Sequence, residues 1–391
     1  MNKKIFMVLW DRPEFYQTLV LLSKYLDEGG YEIFLFQKGS SKKRNSLSNP
    51  NFGKKCKIFN ATLEFKRNNI IFNIIDLLYF CLFCLNKYIN LKPKYVIFFN
   101  AKSLYCQFLL NLFRNKKDRF IYHNFDFNIS NNLNNFKKKL DSKIEFFQSK
   151  FSDFYVFPTK ERSRIFKKYI KKHNKFFFHF LNCFPKNFNF KKSKILKKKY
   201  KKNILNKKII CHLGSIGPSH NILQIILASK YTDENCLIII GGISIDGYAE
   251  YLKKIIKQNK LSKKVLVLKN ISNRLWFEIL SYSKIGLCFY EPTNLSHKHM
   301  AGTSQKFNNY LMSNQPMLVS NNNDFKKFKK IYDIFELTNS NDPKNIAANI
   351  NYLLRNKKRY NQIKKNMSKA FNEELNFEHQ FLISYKKILN N

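Results

Sequence analysis

Gly302-Thr303-Ser304-Gln305-Lys306-Phe307-Asn308-Asn309-Tyr310-Leu311-Met312-Ser313-Asn314-Gln315-Pro316-Met317-Leu318-Val319-Ser320 reads as a loop, a helix, a tight turn and a buried strand. Thr303 or Ser304 can cap the first free amides, and Phe307, Tyr310 and Leu311 share one helix face at i, i+3, i+4 spacing. Ser313-Asn314-Gln315-Pro316 ends the helix, since proline cannot continue it, and Met317 to Ser320 run on as a short apolar strand. A helix that opens on Gly-Thr-Ser offers unpaired amides with a partial positive charge. Lys306 adds a full one. That combination suits an anion, above all a phosphate.

Working outward, the same alternation recurs. Residues 5–10 form an apolar run, 15–26 have helical periodicity stopped by Gly29 and Gly30, and 31–36 form a second run. A strand-helix-strand opening predicts a parallel, doubly wound sheet. Trp10, Asp11 and Arg12 fall where such a sheet opens its ligand crevice; they suit contact with an acceptor, or simple loop packing. Further strands are expected over 94–100 and 119–123, and helices over 104–113, 136–150 and 162–171. Residues 38–55 read as a basic loop. After a Lys-rich run at 186–208, read as a linker, a strand-loop-helix unit restarts at 209–221. Strands follow over 236–242, 264–269 and 285–290, with helices over 248–258, 275–280, 344–354 and 360–371.

The chain has 391 residues, too many for one ordinary core, so two domains are expected. Hydrophobic residues make up 44% and Phe numbers 40, which supplies large cores and argues against disorder. The formal charge of +45 admits a nucleic-acid binder or a protein held on anionic lipid. Yet lysines spread along the whole chain, with Lys, Asn, Ile and Phe inflated together, which reads as a compositional bias of an AT-rich genome. Eight cysteines lack paired spacing, and Cys81 and Cys84 read as core thiols within an apolar run. The opening apolar run is too short for a signal peptide, and a reducing cytoplasm fits. Residues 69–89 are strongly apolar, but the uncharged part covers only 77–86, short of a membrane span. A helix packed on the sheet and an in-plane contact with an anionic membrane both fit.

The 302–320 stretch resembles the segment of GT-B glycosyltransferases of the group 1, or GT4-like, kind that faces the donor. That segment usually reads small-Asn-Lys-Leu-Phe-Glu-Tyr-Leu-Ala-x-Gly-x-Pro-Val-Ile-Ala-Ser. Lys306 matches its lysine, Tyr310 its tyrosine and Pro316 its proline. Asn309 stands at the glutamate that holds the ribose, and Asn314 at the usual glycine. The resemblance implies an α/β GT-B architecture, two Rossmann-like doubly wound parallel-sheet domains facing a central cleft. It places an N-terminal acceptor-side domain at 1–185, a linker at 186–208, a nucleotide-sugar-binding domain at 209–375 and a terminal helix at 376–391 packing back on the N-terminal domain.

Site residues follow from the same resemblance. The loop with Gly214, Ser215, Gly217 and His220 looks like the Gly-containing loop that faces the donor diphosphate, with Ser215 and His220 where many members carry Arg and Lys. Thr303, Ser304, Lys306 and Asn309 complete the diphosphate and ribose side. Asn270 and Ile271 match the turn beside the nucleobase. Ile121-Tyr122-His123-Asn124-Phe125-Asp126 resembles a Tyr-His-Asp type sequence facing the donor sugar, so His123 and Asp126 are the catalytic candidates. There is no Asp-x-Asp triplet, and His297 and His299 lack partners at zinc spacing, so no metal and no cofactor is expected beyond the nucleotide-sugar co-substrate. Helix-end amides and basic side chains would stabilise the leaving nucleoside diphosphate instead. Related enzymes are retaining, many with Glu-x7-Glu; here the two positions are Ala301 and Asn309. The expected activity is hexosyl transfer to a cell-surface glycan or lipid-linked acceptor, in the cytoplasm or at the inner membrane face. A catalytically silent GT-B protein is the alternative. An RNA-binding role has no motif behind it, and no nucleic-acid partner is expected.

Overall fold

The computed structural model describes residues 3–13, 16–38, 52–61, 70–125, 136–170, 176–189, 193–245, 247–293 and 295–390. The chain divides into two compact units, 1–181 with 381–391, and 182–380.

The first unit contains β1 (Lys4–Leu9), α1 (Gln17–Glu28), β2 (Glu32–Gln37), β3 (Cys56–Asn60), α2 (Ile70–Leu91), β4 (Tyr95–Phe99), α3 (Asn100–Leu112), β5 (Arg119–His123), α4 (Phe136–Ser149), β6 (Phe154–Phe157), α5 (Lys160–Ile170) and β7 (Phe176–His179). The strands are all parallel, in the order β3-β2-β1-β4-β5-β6-β7. Strands covered on both faces must be apolar throughout, and β4, Tyr-Val-Ile-Phe-Phe, is buried at every position. β3 was not expected: it lies at the sheet edge, mostly open to solvent, so its sequence carries no apolar run. α2 lies along the sheet, with Phe80, Cys84 and Tyr88 buried on its inner side. Asp76, also buried, pairs with Lys38 at 2.7 Å. Cys81 is a buried free thiol, its Sγ 3.3 Å from that of Cys106.

The second unit begins with α6 (Ile195–Lys199) and α7 (Lys201–Ile204), then β8 (Lys208–Leu213), a 3-10 turn (Pro218–His220), α8 (Ile222–Ala228), β9 (Cys236–Gly242), α9 (Tyr248–Gln258), β10 (Val265–Lys269) and α10 (Asn273–Tyr282). It continues with β11 (Ser283–Cys288), α11 (Leu295–Lys298), α12 (Gln305–Met312), β12 (Met317–Ser320), α13 (Asn323–Tyr332), β13 (Glu336–Thr338), α14 (Pro343–Arg355) and α15 (Lys357–Glu373). Its six parallel strands run β10-β9-β8-β11-β12-β13.

The Lys-rich run read as a linker carries α6 and α7 within this unit. Glu278, buried on α10, accepts from the Ser193 hydroxyl and from the amides of Leu196 (3.0 Å) and Lys197 (3.2 Å). A carboxylate at a helix start satisfies free amides and complements the dipole, and it holds Leu196 in the core. The terminal stretch, expected as one helix, is two: α16 (Phe377–Ile383) and α17 (Tyr385–Asn390). In the first unit the Tyr95 hydroxyl donates to the carbonyl of Leu389 at 2.7 Å.

Candidate functional site

In the second sheet β8 has β9 on one side and β11 on the other, the point from which successive connections leave in opposite directions. Ligands of open α/β sheets bind outside the carboxyl ends of the strands at such a point. Along this edge lie Asn270 and Ile271 after β10, Gly241 and Gly242 ending β9, Gly214 to Gly217 after β8, Tyr290 after β11 and the start of α12.

Backbone approach ties these together. The Gly214 amide donates to Gly241 O at 2.9 Å, and the Asn270 amide to Gly242 O at 2.6 Å. Gly242 has φ +152°, and a Cβ there would fall 1.6 Å from the Gly214 carbonyl oxygen, so only glycine allows the two turns to touch. A Cβ on Gly214 would in turn sit 2.7 Å from Cδ of Lys306. Ile271 reaches Gly241 from the other side. Ser215 is exposed, and Gly217 is buried in the same turn.

Ser304 caps α12 as expected, its Oγ accepting from the Phe307 amide at 3.3 Å. Tyr290 shares a hydrogen bond with the same Oγ. The side chain of Asn308, a residue not singled out from sequence, donates to Gly302 O (2.9 Å) and Ser304 O (3.1 Å), fixing the turn into the helix. Thr303 and Asn309 are both buried, and the Thr303 carbonyl accepts from Asn182 at 3.0 Å. At the far end Ser313 closes the helix and Asn314 takes a left-handed φ of 49°. The amides of Asn314 and Gln315 return to Leu311 O and Tyr310 O, the double bond of a Schellman ending. Asparagine tolerates that conformation, which is how the chain dispenses with glycine there.

Tyr310 fastens α12 to the sheet. Its hydroxyl accepts from the Leu213 amide (3.1 Å) and donates to Cys211 O (3.1 Å), and its ring lies where a Cβ on Gly286 would be.

Lys306 is 4% exposed, with Nζ 4.2 Å from the Tyr290 ring centroid and 3.4 Å from His220 Nδ1. No carboxylate of the described residues pairs with it, and burial lowers its pKa to about 8. Three imidazoles gather beside it. The His220 ring centroid is 5.8 Å from His297 and 5.9 Å from His212, and His297 donates from Nδ1 to Glu291 O at 3.0 Å. Burial, then the neighbouring Lys306 and His297, hold the His220 pKa down to about 2. His220 is therefore a neutral neighbour of Lys306 at pH 7. His212, His297 and Tyr290 were missed from sequence because they lie on three separate segments. Among the described residues no His, Cys, Asp and Glu cluster is arranged to hold a metal.

The matching edge of the first sheet is different in kind. Trp10 packs edge-on against Phe80 (5.0 Å) with Lys38 over its ring. Asp11 spends both oxygens locally, accepting from the Arg12 amide (2.8 Å) and the Tyr16 hydroxyl (2.9 Å). His123 is fully buried among Phe99, Phe125, Phe180 and Tyr385. Its Nδ1 meets the Tyr385 hydroxyl at 2.7 Å, Nε2 has no hydrogen-bond partner, and burial lowers the pKa to about 3. In this position the imidazole presents no surface to a substrate. Asp126 lies outside the described residues. Behind His123, Glu145 accepts from the Tyr122 hydroxyl and from Asn124 Nδ2 (3.3 Å), and burial raises its pKa to about 7.

Residues 194–370 match the family model described as glycosyl transferases group 1. No curated protein sequence matches the chain significantly. Among solved structures the chain is similar to HepE of Anabaena in complex with UDP and glucose, at TM-score 0.72 and 11% identity, covering 100% of both chains. It is similar to the sucrose-phosphate synthase of Thermosynechococcus elongatus (TM-score 0.73, 11% identity, 99% of each chain). A glycosyltransferase from Rickettsia africae gives TM-score 0.71 at 14% identity over 100% of both chains. With two parallel sheets and a helix start facing the switch point, the chain has the two-domain GT-B fold of these structures, and the unit that carries that helix matches the group 1 glycosyl transferase model.

Proposed function

We propose that the protein transfers a sugar from a nucleotide-sugar donor, binding the donor at the carboxyl edge of the second sheet. The observation that carries this reading is Lys306. It is a buried amine without a described carboxylate partner, at the capped start of α12 and against Gly214. A buried cation is costly unless paired, and a diphosphate is the anion that fits beside free helix amides. The backbone of Gly214 to Gly217, Ser304 and Lys306 would hold the diphosphate, and Asn309 a ribose hydroxyl. Asn270 and Ile271 lie further along the same edge, where a base would extend. As the glycosidic bond breaks, negative charge grows on the leaving diphosphate, and fixed amides with Lys306 stabilise it without a metal. Ser215 and His220, where many relatives carry Arg and Lys, supply hydrogen bonds rather than charge. The GT4-like likeness of the 302–320 stretch supports a retaining hexosyl transfer, with a cell-surface glycan or lipid-linked acceptor.

One observation favours a second reading, a silent GT-B protein: Asn309, buried and neutral, occupies the position of the ribose-holding glutamate. A thermal-shift screen with UDP, GDP, ADP, CMP and their sugars, with chelator present, tests the first. A ligand at about 100 times its Kd adds roughly 2.7 kcal/mol of stability, an observable shift. A shift with one nucleotide family, followed by sugar release or transfer, fits the enzyme. A shift without turnover fits the silent reading, and no shift with any nucleotide in a folded sample contradicts the enzyme and leaves the silent reading standing.

A further inference from the structure

Lys306 and the first amides of α12 are held where they are by the segment that leads into them. Residues 301–304 belong to no strand or helix, yet all four are buried. Buried amides outside regular structure must find acceptors, or the segment that carries them loses its fixed place. The amides of Thr303 and Ser304 turn back to Met300 O, at 3.1 and 3.2 Å. Gly302 takes a left-handed φ of 72°, and its carbonyl accepts from Asn308. The Ala301 amide looks outside the segment instead, donating to Oδ2 of Asp324 at 2.8 Å. The other oxygen of that carboxylate, Oδ1, lies 3.6 Å from Nδ1 of His299.

Asp324 comes from the next helix along the chain, in the first turn of α13, and its side chain is 9% exposed. A carboxylate in a first turn ordinarily complements the helix dipole. The capping of α13 falls to a different residue: Asn322 accepts from the Phe325 amide at 3.0 Å. Asp324 turns its oxygens toward 299–301, so one side chain ties the entry of α12 to the helix that follows it. On the other side the same loop is pinned through His297, whose Nδ1 donates to Glu291 O and whose ring centroid lies 5.4 Å from that of Tyr290. The dipole is served by any negative charge near the start of α13. The Ala301 amide needs an acceptor oxygen at one particular reach.

We propose that Asp324 is a positioning residue of the donor edge. Its carboxylate fixes the Ala301 amide and, through it, the entry to α12, so that Ser304, the first helix amides and Lys306 are set for a diphosphate before one arrives. It acts through the segment rather than on the ligand, and the inference rests on the donor reading above. Two conservative substitutions separate this role from helix stabilisation. Asp324→Asn keeps an acceptor oxygen at the same reach and removes the charge. Asp324→Glu keeps the charge at the start of α13 and carries the oxygens a methylene further out. Calorimetric titrations with UDP, GDP and ADP, chelator present, are run beside melting curves for the parent and both variants. For a positioning role, Asp324→Asn keeps nucleotide affinity within about threefold, while Asp324→Glu lowers it about tenfold. Melting temperature should rank the other way, with the larger fall in Asp324→Asn, which loses its complement to the dipole. Affinity that follows the charge, lost in Asp324→Asn and kept in Asp324→Glu, overturns the proposal, and so does affinity unchanged in both. A parent that binds none of the three nucleotides removes the donor reading and this inference with it. A parent that binds, with the variants ranked against the expectation, removes the inference alone.

Discussion

The two sheets offer the same position, the carboxyl edge beside the first strand of a doubly wound sheet, and fill it with opposite chemistry. In the first unit the polar groups are largely consumed internally: Asp11 by Arg12 and Tyr16, Glu145 by Tyr122 and Asn124, His123 by Tyr385 and a cage of rings. In the second unit glycine turns expose backbone, and Lys306 is buried with an aromatic ring and a neutral imidazole for company. A satisfied network stabilises the fold. An unsatisfied cation beside helix amides is stabilised only when an anion arrives. The fold repeats; the donor proposal rests on Lys306, which pairs with no carboxylate of the described residues.

The largest break in this contrast should come from Lys306→Ala. We expect nucleotide affinity to fall on the order of 100-fold, measured by calorimetry, with melting temperature kept or raised because a buried charge is removed. In the first unit the corresponding test is Glu145→Gln. The folded pKa is raised to about 7 from 4.5, so the stabilisation present below 4.5 is lost as pH rises through 7. The glutamine variant should remove that slope and gain on the order of 3 kcal/mol at pH 8, read from denaturant melts at several pH values. A smaller loss, about 1 to 2 kcal/mol, is expected for Tyr310→Phe, which strands the Leu213 amide and loosens α12 from the sheet. Its nucleotide affinity should drop as well. The smallest effect on ligand should come from His123→Phe, which leaves nucleotide affinity unchanged within about twofold, since that side chain belongs to the first unit's core.

The sequence carried the parts of this picture that are local. The strand at 236–242 and the helix at 248–258 agree with β9 and α9, because an apolar run and a 3.6-residue period each speak for themselves. Ser304 and Lys306 were legible for the same reason: a cap and a charge at a helix start need no tertiary partner. β3 was hidden because an edge strand with solvent on most positions lacks an apolar run. The helices at 195–204 were hidden because their anchor is Glu278, distant in sequence, and the Lys-rich surface drowned the lone buried Leu196. The company around Lys306, namely His212, Tyr290 and His297, converges only when β8, β11 and the following loop assemble. His123 took its catalytic expectation from the resemblance of 121–126 to a donor-facing segment; its surroundings include Tyr385, which only the returning chain brings to it.

The most direct test is a calorimetric titration of the preferred nucleoside diphosphate with chelator present, at pH 7, 8 and 9, for the parent and Lys306→Ala. If the charged amine is the diphosphate's partner, parent affinity is highest below about 8 and falls roughly tenfold for each further pH unit. The variant should bind weakly with no such fall. Equal affinity in the two proteins, or binding that appears only with added divalent metal, would contradict the assignment of the second edge as a metal-independent diphosphate site.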